Sequence, residues 1–294
     1  MEIISLNKAK QLVQAQFPQW AHLPVTPVQN GGHDNRTYHL GTDMSLRFPS
    51  GKQYALQVEK EQYWLPRLQP QLSITISQPI AQGVPGEGYA YPWSIYQWLQ
   101  GDTSTYETIA DINEFARDLG MFLRALQLVD ASGGPLPGDH NFYRGGALQV
   151  YHRETMDAIA RVHGALGVEA GLLTAIWMEA LHTQYKNPPV WIHGDVVPSN
   201  LLIQNGRLYA AIDFGMLGVG DPACDTAIAW TFFTGAARYA FLQATQLDWD
   251  TQRRGRAWAL WKALITFRDR HPKRAQKEAE QRRIICEIIQ SYNH

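Results

Sequence analysis

Over the first hundred residues, apolar and polar positions change places in short runs. After that they recur every three to four positions. Arg36–Leu40 and Met44–Phe48 read as strands joined at Gly41-Thr42-Asp43. Val58–Leu65 has helical spacing, and Pro66 marks its end or a kink. Tyr89–Leu99 is aromatic-rich and extended, with Pro92 near its start and Gly101 closing it. Beyond Gly101, Ile109, Ile112, Phe115, Leu119, Phe122, Leu123 and Leu126 share one helical face. Ser132–Gly138 is a glycine- and proline-rich loop, Arg153–Leu181 reads as further helix, and the chain is again helical from Trp230 onward. Leu201–Tyr209 reads as a hairpin, because Asn205-Gly206 tolerates the positive φ values of a tight turn. These elements predict an α+β fold in two lobes. A small sheet-rich lobe spans residues 1–100, with an interlobe linker near 95–101, and a larger helical lobe spans residues 102–294.

Composition narrows the picture. With 294 residues, 45% of them hydrophobic, and ten Trp, thirteen Tyr and ten Phe, the chain can bury a large core and is not a disordered polymer. A formal net charge of -1 gives no electrostatic case for nucleic acid or an anionic membrane as partner. No apolar run approaches the length of a membrane span, and Met1-Glu2-Ile3-Ile4-Ser5 lacks a basic region followed by a long apolar run, so no secretory signal is expected. Cys224 and Cys286 are far apart and form no C-x-x-C pair, so a reducing, cytoplasmic setting is expected. His152, His163 and His182 lie in helical sequence without metal-ligand spacing and read as surface or packing residues.

The chemistry concentrates in one segment. His193-Gly194-Asp195 with Asn200 gives H-G-D-x-x-x-x-N, and Ile212-Asp213-Phe214-Gly215 follows after the hairpin. An Asp, an Asn five residues on and a second Asp before Phe-Gly are the parts that phosphoryl transfer needs. Asp195 is the candidate catalytic base for an acceptor hydroxyl. Asn200 and Asp213 supply hard oxygen ligands of the kind Mg2+ prefers. Each half of the pattern alone is weak, whereas the joint order with an intervening hairpin is hard to reach by accident.

Val190–Asp225 resembles the aminoglycoside phosphotransferase family, whose pattern runs from H-G-D-x-x-x-x-N through a hairpin to I-D-F/W-G and G-D-P-x-x-D. Here the last part is Gly220-Asp221-Pro222 and Asp225. The resemblance implies the two-lobed protein-kinase-like fold and transfer of the γ-phosphate of ATP, or of GTP, to a hydroxyl of a small molecule such as an antibiotic or a sugar-like metabolite. It implies Asp195 as base, Asn200 and Asp213 as Mg2+ ligands, and Asp221 and Asp225 as loop braces, with His193 supporting the loop.

The nucleotide lobe fits the family pattern less closely. Gly31 and Gly32 sit where a phosphate-covering loop is expected, without the full G-x-G-x-x-G. Arg47, in Leu46-Arg47-Phe48-Pro49, stands where kinases place a strand lysine, and Glu61 is its expected helical partner; Lys52 and Lys60 are rivals for the cation. Tyr96, Gln97 and Trp98 match the interlobe linker that receives adenine. Gly194 replaces the Arg that reads a phosphorylated activation loop, and only a few residues separate Gly215 from Asp221, so no such switch is expected.

On the acceptor side, residues Thr226–His294 carry twelve basic against six acidic side chains, which disfavours a polycationic aminoglycoside. Trp230, Phe232, Phe233, Trp258 and Trp261 would suit a more apolar acceptor, or else form helix core. A nucleotide-binding pseudokinase acting by shape is the alternative reading, motivated by Arg47 and the incomplete glycine loop.

Overall fold

The computed structural model describes residues 4–28, 32, 34–267 and 275–292. Helix α1 (Leu6–Gln16) starts at Ser5, whose hydroxyl accepts the Lys8 amide at 3.2 Å. Strands β1 (Val25–Pro27), β2 (Asn35–Leu40) and β3 (Met44–Pro49) then lead into helix α2 (Lys52–Leu68). That helix is longer at both ends than the spacing predicts. Pro66 lies inside its last turn; it forgoes one backbone bond there without ending the helix. After β4 (Thr75–Ile76) come β5 (Pro79–Gly83) and β6 (Trp93–Gln97), so only the middle of the extended Tyr89–Leu99 stretch is strand. All of these strands except β4 form one antiparallel sheet in the order β1-β2-β3-β6-β5.

Strand β7 (Asp102–Thr103) opens the helical part. Helix α3 (Ile112–Leu128) begins later than its apolar face suggests, because Asp111 caps it by accepting the Asn113 and Glu114 amides. The predicted Arg153–Leu181 helix is two helices, α4 (His152–Leu166) and α5 (Ala170–Leu181), broken where Gly167 turns left-handed at φ 69°. Strand β8 (Val190–Ile192) precedes the hairpin of β9 (Leu201–Gln204) and β10 (Arg207–Ala211), which turns on Asn205 (φ 51°) and Gly206 (φ 79°). Strand β11 (Gly218–Gly220) pairs back with β8, and α6 (Ile228–Thr231), α7 (Gly235–Thr245), α8 (Trp249–Thr266) and α9 (Ala275–Tyr292) complete the chain.

Two apolar cores matter for the site. Leu46, Phe48, Trp93 and Ile95 fill the N-terminal sheet's core together with α1, and Phe48 stacks on Trp93 at 4.8 Å. The larger core takes in α3 to α9 and also Leu65 and Leu68 of α2. Trp64 meets Trp191 of β8 edge-on at 4.7 Å. The second half of α2 is therefore anchored in the helical part, beside the strand that leads into the H-G-D motif. Strand β4, from the N-terminal hundred residues, likewise pairs in parallel with β10. No helix of the described residues is long and apolar enough to cross a membrane.

Candidate active site

The two motifs are locked together by backbone bonds. His193 is fully buried, and its ring stands 4.3 Å from the Phe214 ring. Its Nε2 donates to the Ile212 carbonyl at 3.0 Å, which leaves Nδ1 to accept the Asp195 amide at 3.2 Å. The Ile212 amide in turn donates to the Asn200 carbonyl at 2.8 Å. Asp225 accepts the His193 and Gly194 amides at 2.8 and 2.7 Å. Burial raises the Asp225 carboxyl, and the neighbouring His193 and the two amides oppose that rise. Asp221 caps the following turn through the Ala223 amide and pairs with buried Arg254 at 2.6 Å.

Gly194 explains why this loop carries no Arg before its Asp. Its φ is 83°, and a Cβ there would lie 2.4 Å from the Met216 carbonyl oxygen. The H-G-D loop and the Phe214–Met216 turn touch at that point, and a side chain there would meet the Met216 backbone. The chain then passes directly into β11, which pairs with β8.

Asp195 is half-buried at the end of this scaffold. Asn200 Nδ2 donates to the Asp195 carbonyl at 3.0 Å and to its carboxylate Oδ2 at 3.3 Å. Both Asn200 donors are directed at Asp195, so Oδ1 is the atom left to accept or ligate. Asp213 adopts left-handed φ 63°, an uncommon conformation for a side chain other than glycine, asparagine or aspartate. Its carboxylate pairs with Arg47, and 40% of the side chain remains reachable by solvent. One amide oxygen and one carboxylate fit an ion that retains water and takes phosphate oxygens, as Mg2+ does. Among the described residues no group of three His, Cys, Asp or Glu side chains gathers as a dedicated metal cage.

Arg47 completes the electrostatics from β3. Its Nη2 makes a short ion pair with Asp213 Oδ1, and Nη1 lies 3.6 Å from Glu61 Oε1 on α2. Burial would raise the Asp213 carboxyl, but Arg47 outweighs it and holds the group below the usual carboxylate range. Burial dominates at Glu61 and raises its carboxyl, with Arg47 opposing. The Arg47 guanidinium also lies 5.4 Å from the Tyr96 ring centroid. Tyr96 is only 3% exposed, so it braces Arg47 from the core and does not offer a face to a base. Gln97 and Trp98 end the strand at the surface side; Trp98 packs on His39 at 4.2 Å and its amide donates to Asp43. Gly32 is exposed, with open space where a Cβ would stand, and Gly31 lies outside the described residues.

Lys60 is not a rival phosphate ligand; it points the other way. Buried on α2, it donates to the Gly215 carbonyl at 2.8 Å and to His140 Nδ1 at 2.9 Å. His140 Nε2 donates to the Leu136 carbonyl at 2.8 Å. Burial lowers the Lys60 ammonium to about 7, against the pull of Glu61. Gln57 lies one turn earlier on α2, and its side chain comes within 2.6 Å of where a Gly215 Cβ would be. The helix is thus pinned to the Asp213-Phe214-Gly215 turn. Nothing in the spacing of the Ser132–Gly138 loop signals His140, because its partner is eighty residues away.

The acceptor-side aromatics are core. Phe232 and Phe233 pack with Phe115 and Phe241, and Trp230 donates to Ser291. Trp258 and Trp261 are buried around Tyr151, with the Arg144 guanidinium over both rings. Sequence reading overlooked Arg144, which stands outside every motif.

A sheet-rich part carrying a strand cation and a pinned helix, joined to a helical part carrying paired Asp-Asn and Asp-Phe-Gly motifs, defines a kinase-like phosphotransfer fold. The phosphotransferase enzyme family (APH) matches residues 25–282, and the chain belongs to that family. It is similar to the Uncharacterized protein YcbJ of Bacillus subtilis (strain 168), at 28% identity over 191 residues, 63% of this chain. That match spans 56% of the relative, so the likeness covers little more than half of its length. Among solved structures, the GDP complex of wild-type aminoglycoside 2'-phosphotransferase-IIIa superposes with a TM-score of 0.74 at 20% identity, over 98% of this chain and all of the other. A macrolide 2'-phosphotransferase from Brachybacterium faecium superposes with a TM-score of 0.60 at 21% identity, over 95% of this chain and 98% of the other. Both likenesses are likenesses of fold.

Proposed function

We propose that the protein transfers the γ-phosphate of ATP, or of GTP, to a hydroxyl of a small molecule, with Mg2+ on the phosphates. The single observation that carries this is the joint Asp195–Asn200–Asp213 arrangement, held by His193 and Asp225, with Asp213 partly exposed to solvent. Asp195 takes the proton of the acceptor hydroxyl as its oxygen bonds to the γ-phosphorus and the bond to the β-γ bridging oxygen breaks. Asn200 Oδ1 and the Asp213 carboxylate would hold Mg2+, which when bound neutralises charge on the phosphates. Arg47 serves the phosphates in place of the usual lysine, with Glu61 and Tyr96 orienting it. Gln97 and Trp98, where β6 leaves the sheet, and the Gly31-Gly32 loop are the nucleotide's remaining contacts. GDP in one structural neighbour supports keeping GTP beside ATP as donor. The neighbours' names point to antibiotics as one acceptor class, with sugar-like metabolites as another. The lobe division at residues 100–102 belongs to the same proposal.

A pseudokinase that binds nucleotide and acts by shape is disfavoured, because none of the three transfer residues is replaced. A screen of labelled γ-phosphate transfer over aminoglycosides, macrolides and small hydroxylated metabolites tests the reading. The expected result is at least one phosphorylated acceptor. Nucleotide binding with neither transfer nor slow hydrolysis would return the pseudokinase.

A further inference from the structure

Two cations, Arg144 and Lys262, share one indole, and Lys262 lies within electrostatic reach of Asp195. The Arg144 guanidinium lies 5.0 Å from the Trp261 ring centroid and 5.1 Å from that of Trp258, and Nη1 donates to the Tyr151 hydroxyl at 3.3 Å. Lys262 Nζ lies 5.9 Å from the same Trp261 ring. One buried indole thus carries both positive heads. Among the described residues neither enters an ion pair.

The acids around them are engaged elsewhere. Glu154 accepts the Trp261 indole N–H at 2.8 Å. Asp195 is bonded to Asn200, and Asp34 engages Tyr54 on the opposite lobe. Farther along the helices, Asp250 pairs with Arg253, Glu280 with Arg283 and Glu287 with Arg238, while Asp248 caps α8. Lys262 lies within electrostatic reach of Arg144, Asp195, Asp34 and Glu154. Although Lys262 keeps solvent exposure, the protein crowding its head first, and Arg144 second, hold its ammonium below the usual lysine range. Two like charges on one ring repel, and an anion between them relieves that repulsion.

We propose that Arg144 and Lys262 form an anion subsite for the acceptor, selecting hydroxylated small molecules that also carry a carboxylate or phosphate group. The inference rests on the phosphotransferase reading and sharpens its substrate class. The hydroxyl faces Asp195, and the acceptor's own negative charge lies against the pair. A polycationic acceptor meets the same pair as a barrier.

The test uses paired acceptors on the full chain: a sugar and its uronic acid, a sugar and its phosphate monoester, and a polycationic aminoglycoside. The expected result is a kcat/KM about tenfold or more higher for the anionic member of each pair, as fits one charge-assisted contact. Which pair gains more separates carboxylate from phosphate. Lys262→Met and Arg144→Met should each raise KM for the anionic acceptor about tenfold while leaving nucleotide affinity unchanged, and Lys262→Arg should restore most of it. Lys262 is exposed enough to be replaced without disturbing the core, should Arg144→Met fail to fold. Efficient transfer to neutral or cationic acceptors, unaltered by either variant, overturns the subsite and leaves the phosphotransferase reading intact. Loss of nucleotide affinity in the variants, with acceptor KM unmoved, reassigns the pair to the nucleotide phosphates and also overturns it. Absence of both transfer and nucleotide hydrolysis overturns the phosphotransferase reading and the subsite together.

Discussion

The segment from His193 to Asp225, which carries the proposed base, and the cation network around Arg47 are built differently. The first is held by bonds to backbone: two amides on Asp225, a His193 ring wedged between Asp195 and Ile212, and a glycine whose φ and close approach to Met216 strain any side chain. The second is held by side-chain charges that meet only after the lobes pack, since Arg47 and Asp213 are 166 residues apart. Backbone scaffolds fix position at small cost in charge, so the proposed base, Asp195, is held in place by the fold itself. Charge networks can rearrange. Arg47 grips Asp213, and in the proposed transfer that grip is shared with the phosphates and Mg2+.

The largest expected effect breaks the backbone-held side. Asp195→Ala should lower turnover by about 10²–10⁴-fold in steady-state assays, as loss of a general base does, with nucleotide affinity retained. Gly194→Ala comes next. Its φ of 83° and the nearby Met216 carbonyl should cost about 1–3 kcal/mol in chemical denaturation and displace Asp195. An unchanged midpoint and unchanged rate would show that the turn has more room than the geometry allows.

The network side should yield smaller, more divisible losses. Arg47→Lys keeps the charge and loses the fork that reaches both Asp213 and Glu61, and the expected outcome is a roughly tenfold rise in nucleotide KM. The smallest effect concerns Lys60 and reads out as pH dependence. Its ammonium titrates near 7 when folded and near 10.5 when unfolded, so between those values the unfolded chain binds more protons. Its contribution to stability must then rise as pH climbs from about 7 to about 10.5, and it is least favourable below 7. Unfolding of wild type and Lys60→Met across that range should show the variant's relative advantage shrinking with pH. A constant gap would place the Lys60 proton elsewhere.

This contrast also explains what could be read from the chain. The hairpin was visible because Asn205-Gly206 dictates its turn locally, and the H-G-D and D-F-G motifs announced themselves by spacing within a short stretch. The sheet-rich and helical parts followed from period alone. Helix ends were less legible: Asp111 capping and Gly167 reversal are single-residue events inside a continuous apolar pattern. The place of Tyr96 beside Arg47 is not legible in the sequence, because nothing local states which face of β6 meets Arg47. Lys60, His140, Arg144 and Lys262 carry no spacing signal, since each depends on a partner brought near by tertiary packing or on an indole from a distant helix.

The central claim is that position and grip are separable functions of this site. Its most direct test measures nucleotide binding by calorimetry, with and without Mg2+, together with single-turnover phosphate transfer, for wild type, Asp195→Ala and Asp213→Ala. The predicted result is a split: Asp195→Ala binds Mg2+–nucleotide as wild type does and fails to transfer, whereas Asp213→Ala loses the Mg2+-dependent part of binding. Equal loss of binding in both variants, or transfer surviving in Asp195→Ala, would contradict the account.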